Sequence, residues 1–145
     1  FWSVQQNGTN GMNVHLGNWV AGQPTPAGDL AAQSGGSALF SGNAIGTVIA
    51  SGSTAMRRGT FEAEVEFGNS SYSVSNFSMN FDGRRYQGSG SGDFRNGQNY
   101  TVTTTNNHTK TARGNFFGSG AAATAGDFRI VGSDYKAGGV FAGRR

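Results

Sequence analysis

The last third of the chain falls into three short apolar segments bounded by small residues. They are Gly114-Asn115-Phe116-Phe117-Gly118, Ala125-Gly126-Asp127-Phe128-Arg129-Ile130 and Gly138-Gly139-Val140-Phe141-Ala142-Gly143-Arg144-Arg145. Segments this short, rich in aromatic and β-branched residues and separated by small-residue turns, read as consecutive antiparallel strands. A meander of this kind is how an antiparallel barrel closes. Upstream, Gly59-Thr60-Phe61-Glu62-Ala63-Glu64-Val65-Glu66-Phe67 is the clearest strand in the chain, since Phe61, Ala63, Val65 and Phe67 alternate strictly with three glutamates. Period-two alternation puts one face in a core and the other in water.

Further strands are expected at 37–42 and 46–51 as a pair, at 72–81 up to the turn Asp82-Gly83, at 84–88, and at 100–104. Eight or nine short strands with Gly or Asn turns leave a β-sandwich or an up-and-down barrel. The eight-stranded antiparallel barrel is preferred, because sequential strands with tight turns make a meander and closure removes sheet edges. Glycines inside strands, at Gly42, Gly46, Gly114 and Gly126, suit the bends of a small barrel.

Composition agrees with a folded β-rich domain. The 145 residues include 25 Gly, while aromatics make up 12% and charged residues only 13%; disordered chains pair low hydrophobicity with high net charge instead. The length suits a single core. Residues 1–35 differ from the rest: Phe1-Trp2-Ser3-Val4 and Met12-Asn13-Val14-His15-Leu16 look strand-like, helical period is missing, and Pro24 and Pro26 mark a loop. The expected division is an extension over 1–35, packing on or plugging the barrel, and a barrel over 36–145. Starting at Phe1, the chain is expected to be a processed product or a segment of something longer. No apolar run approaches the roughly 18 residues of a membrane helix. With no Cys, neither disulfides nor thiolate metal sites are available.

The net charge of +3 rests on isolated arginine pairs, Arg57-Arg58, Arg84-Arg85 and Arg144-Arg145. Nucleic-acid binding needs a basic run or stripe, so it is not expected. Glu62, Glu64 and Glu66 read as the solvated face of a strand with Arg or Lys partners across it, rather than as a cation site. His15 and His108 have no nucleophile motif to serve, and no enzyme is expected. Gly88-Ser89-Gly90-Ser91-Gly92-Asp93 precedes no helix that could cradle phosphate, and reads as an inter-strand loop. Asn7, Asn69, Asn76, Asn99 and Asn107 each begin an Asn-x-Ser/Thr triplet, as abundant Asn, Ser and Thr produce by chance. Trp2, Trp19, Phe116 and Phe117 either line a cavity or fill the interior, and at this barrel size a filled interior is favoured.

Three stretches carry a family resemblance: Ala38-Leu39-Phe40-Ser41-Gly42-Asn43-Ala44-Ile45-Gly46; Gly114-Asn115-Phe116-Phe117-Gly118 followed by 121–128; and Gly139-Val140-Phe141-Ala142-Gly143-Arg144. Through them, 36–145 resembles the C-terminal eight-stranded barrel of the transferrin-binding protein B family of bacterial surface lipoproteins. The resemblance implies a barrel at the cell surface or outside the cell. It implies a non-enzymatic binding module that meets a protein partner through loops at one mouth, with neither cofactor nor metal. Loop adjacency and residue type make Arg57, Arg58, Arg84, Arg85 and Tyr86 the candidate contact residues. The other expectations are a structural terminal domain of a larger exported protein, or a carrier of haem or a small apolar molecule.

Overall fold

The computed structural model describes residues 2–7, 11–16, 19–94, 99–104 and 109–145, with 2–7, 11–16, 104 and 109 described as backbone only. Strands β1 (Trp2–Asn7) and β2 (Gly11–Leu16) form a two-stranded hairpin. The remaining eight strands close into one antiparallel barrel in chain order: β3 (Ser37–Ala50), β4 (Ser53–Phe67), β5 (Ser71–Phe81), β6 (Arg84–Asp93), β7 (Asn99–Thr104), β8 (Thr109–Phe117), β9 (Ala123–Val131) and β10 (Tyr135–Arg144). The seam is the β10 to β3 ladder, from Tyr135 opposite Ala50 to Arg144 opposite Ser41. The eight-stranded barrel expected from the sequence is therefore the fold.

Two expected features are corrected. Residues 37–42 and 46–51 are not a strand pair but parts of one fourteen-residue strand, β3. Ala44 points inward between Phe40 and Val48, so alternation continues through the supposed turn. Gly46 bends the strand instead of reversing it: a Cβ there would lie 2.6 Å from the Gly138 carbonyl oxygen and 2.9 Å from the Phe128 ring. Likewise Gly88-Ser89-Gly90-Ser91-Gly92 is strand β6, not a loop. Its serines face out and its glycines face in, where a Cβ on Gly90 would collide with the Thr101 carbonyl of β7. Glycine lets the neighbouring backbones approach at a barrel corner.

Inward positions recur every second residue. Phe40, Phe61, Phe77, Phe81, Phe116, Phe128 and Phe141 are buried there with Tyr72 and Tyr100. Ring centroids lie 4.7 Å apart for Phe61 and Phe141, 4.8 Å for Phe81 and Phe128, and 5.0 Å for Tyr72 and Phe116. Rings thus fill the lumen, as an eight-stranded barrel of this width allows. Strand β5 achieves this only through an irregularity. Its pairing slips between Val74 and Phe77 toward β6, and at the matching place toward β4. The extra residue lets Tyr72 and Val74 face in, and then Phe77, Met79 and Phe81 as well, while Ser75 and Asn76 stay exposed.

One mouth, where β4 ends and β5 begins, is partly capped by the segment before β3, beside a cavity lined by Phe67, Tyr72 and Asp93. Thr25 donates its backbone N–H to the Phe116 carbonyl (3.0 Å) and its hydroxyl to the Gly118 carbonyl (2.7 Å). The five-residue helix α1 (Ala27–Ala31) starts directly after Pro26 and buries Leu30 completely. Helical period is absent from the sequence here because one turn is too short to show it. Arg145 adds to the cap, hydrogen-bonding Gln33 at 3.2 Å while its guanidinium lies over the Phe40 and Phe67 rings.

Candidate functional site at the opposite barrel mouth

Two tight hairpins stand at the opposite mouth. Ser51-Gly52 and Asp82-Gly83 both have positive φ at their two central positions, the geometry that suits right-handed strand twist. This places Asp82 at the rim, where it organises its neighbours. Arg57 of β4 donates from Nε to Asp82 Oδ1 at 3.0 Å, and the Tyr135 hydroxyl of β10 donates to Asp82 Oδ2 at 3.1 Å. Both carboxylate oxygens are engaged.

Strand parity then decides which of the expected contact residues share this site. Arg57 is in phase with inward Phe61, and Arg84 with inward Tyr86, so both belong to the inner face of the rim. Arg84 lies over the Tyr135 ring at 4.5 Å. Tyr86 points into the barrel and is 4% exposed. Arg58 and Arg85 face outward on the wall. Arg85 donates to the Ser78 hydroxyl at 3.0 Å. Arg58 lines an outer groove of about 550 Å³ with Trp19, Val20, Ile45 and Val140. The five expected residues are therefore divided between two surfaces.

Three members of the mouth cluster were not anticipated: Asp82, Tyr135 and Lys110. Lys110 is 7% exposed and sits in phase with Ala112 and Phe116 on β8, a period-two signal readable only once β8 is known to start at Thr109. Its ammonium lies 4.8 Å from the centroid of the Tyr86 ring. Among the described residues no carboxylate approaches Lys110 within salt-bridge distance, and the buried Tyr86 hydroxyl adjoins that of Tyr135. An aromatic face returns about 0.5–2 kcal/mol to a cation, less than the several kcal/mol that burying an ammonium costs. Burial holds the Tyr135 hydroxyl well above the usual tyrosine range, reinforced by the adjoining Tyr86 and then by Asp82. It stays a neutral donor at ordinary pH.

Other expectations resolve on the wall. Glu62, Glu64 and Glu66 are exposed, but their cross-strand neighbours are Ser41, Ser78, Leu39, Asn76, Ser37 and Ser73 rather than Arg or Lys. Among the described residues Glu66 accepts a hydroxyl, from Ser73 at 3.3 Å. Trp19 lies outside the barrel, 71% exposed. Phe116 is in the lumen, whereas Phe117, one residue on, faces outward against Gly22. His108 and the side chains of Trp2 and His15 lie outside the described residues. No cluster of His, Cys, Asp or Glu among the described residues could hold a metal ion. No helix is long and apolar enough to cross a membrane.

No family model and no curated protein matches the sequence. Solved structures do match in fold. Transferrin-binding protein B, isotype 1, from serogroup B Neisseria meningitidis superposes with a TM-score of 0.61 at 20% identity, over 84% of this chain and 27% of that one. A single-site variant of the vaccine antigen transferrin-binding protein B from Haemophilus parasuis superposes with a TM-score of 0.54 at 16% identity, over 83% of this chain and 28% of that one. The chain spans little more than a quarter of the length of either protein, and what it shares with both is the barrel fold expected from its glycine-punctuated strands.

Proposed function

We propose that the chain is a non-enzymatic binding module of a bacterial surface or exported protein, engaging a protein partner through the mouth built by Arg57, Asp82, Arg84, Tyr86, Lys110 and Tyr135. The observation that carries this reading is the asymmetry of the barrel. One mouth is partly capped by residues 23–36 and Arg145, while the opposite one gathers cations and tyrosines at the ends of β4, β6, β8 and β10. Arg and Tyr are the residue types that dominate interaction hot spots. The shared fold with transferrin-binding protein B supports a binding role, although fold alone does not name a partner. A filled lumen leaves no room for haem, which argues against the carrier reading.

A photo-crosslinking residue placed at Ser133, beside the mouth, tests the proposal against one placed at Asn69, at the capped end, each in the cell-surface protein. A discrete crosslinked protein from position 133 alone is expected, and Arg57→Ala/Arg84→Ala should weaken it while Arg58→Ala/Arg85→Ala does not. Crosslinks from position 69 alone, or from neither, overturn the assignment.

A further inference from the structure

The charge balance of the mouth points to a ligand of definite chemistry. Asp82 is satisfied on both oxygens, by Arg57 and by Tyr135, so that pair is neutral within itself. Arg84 and Lys110 remain, and each is held against an aromatic face rather than against a carboxylate. An aromatic ring fixes a cation without cancelling its charge or occupying all its N–H donors. Lys110 is itself buried and has no carboxylate partner among the described residues, and a buried unpaired charge in a folded protein calls for an explanation.

We propose that the mouth of the barrel binds phosphate, with Lys110 and Arg84 supplying the positive charge. Two cations without a carboxylate partner suit an anion, Asp134 of the exposed β9–β10 turn being the other described carboxylate at this mouth, and the planar guanidinium of Arg84 suits phosphate oxygens. Lys110 is the anchor, being the cation most withdrawn from water, where electrostatic attraction is least screened. The neutral Arg57 and Asp82 pair acts as a rim that keeps Tyr135 oriented beneath Arg84. The site stands on these side chains alone and does not depend on a protein partner.

Thermal unfolding of the purified chain in increasing inorganic phosphate, at constant ionic strength against chloride, tests it. A ligand that binds only the native state raises Tm with its concentration. A saturable rise is expected in the parent protein. The apparent Kd should weaken about tenfold or more in Lys110→Met and in Arg84→Ala, consistent with loss of a charge-assisted contact. Arg84 is exposed, so Arg84→Ala keeps the test decisive if Lys110→Met does not fold. No saturable rise, or an equal rise in the variants, overturns the proposal. O-phosphoserine separates two sources of the same chemistry. A shift at least as large as with phosphate assigns the site to a phosphate ester on a larger molecule, and a response to inorganic phosphate alone assigns it to the free ion. Failure here leaves the protein-partner reading to its own crosslinking test.

Discussion

Tyr72 and Tyr100 fit inside the barrel because glycines stand opposite them. Gly114 pairs with Tyr100 across the β7 and β8 ladder, and a Cβ there would lie 2.2 Å from the tyrosine ring. Gly92 does the same for Tyr72, whose hydroxyl would be 2.3 Å from an added Cβ. The Tyr100 ring cannot retreat, since its hydroxyl is hydrogen-bonded to Thr124 at 2.8 Å and Thr124 donates on to the Asn115 carbonyl. Gly114→Ala is therefore expected to destabilise the protein by about 1–3 kcal/mol, the usual cost of overpacking a close-packed core. Denaturant unfolding checks this. An unchanged midpoint would mean that the ring has more freedom than its partners allow.

At the scale of the strand, β5 shows what alternation conceals. Val74 and Phe77 are three apart, which breaks a period of two, yet both face the lumen because the extra residue is absorbed as a bulge. Deleting Ser75 would leave Val74 and Phe77 two apart, so a regular ladder without the bulge would keep Tyr72, Val74, Phe77, Met79 and Phe81 all on the inner face. The deletion variant is expected to keep cooperative thermal unfolding and near-ultraviolet dichroism, and loss of both would mean that the bulge itself is needed to bend β5 around the barrel. The other misread elements have equally local causes. β3 contains a Gly-Asn-Ala-Ile-Gly stretch with the composition of a turn but the pairing of a strand, and in β6 glycine replaces the apolar residue that marks an inward position.

Across the whole molecule, three buried tyrosines are held protonated beyond their ordinary range: Tyr72, Tyr100 and Tyr135. Burial is the leading cause in each. An unfolded tyrosine ionises near pH 10, so above that pH the unfolded chain releases protons that the native one keeps. Stability is therefore full below about pH 10 and falls as pH rises beyond it. Urea midpoints measured from pH 8 to 11 should decline only over the upper part of that range, and Tyr100→Phe should make the decline shallower. A flat profile would mean that the rings are wetter than the fold indicates.

The barrel itself was legible because its determinants are local. Strict alternation in 59–67, the Asp82-Gly83 hairpin and the glycine-bounded closing strands each state a strand or a turn within a few residues. The site was only half legible. Sequence put Arg57, Arg84 and Tyr86 among the candidates, but it could not separate them from Arg58 and Arg85, because inward and outward are defined only once the register is fixed. Register depends on closure of β10 onto β3 and on a bulge in β5, both set by contacts between residues distant in sequence. The same long-range pairing buries Lys110 against Tyr86 and brings Asp82 between Arg57 and Tyr135. Local pattern determined the kind of sheet; tertiary closure decided which charges it turned inward.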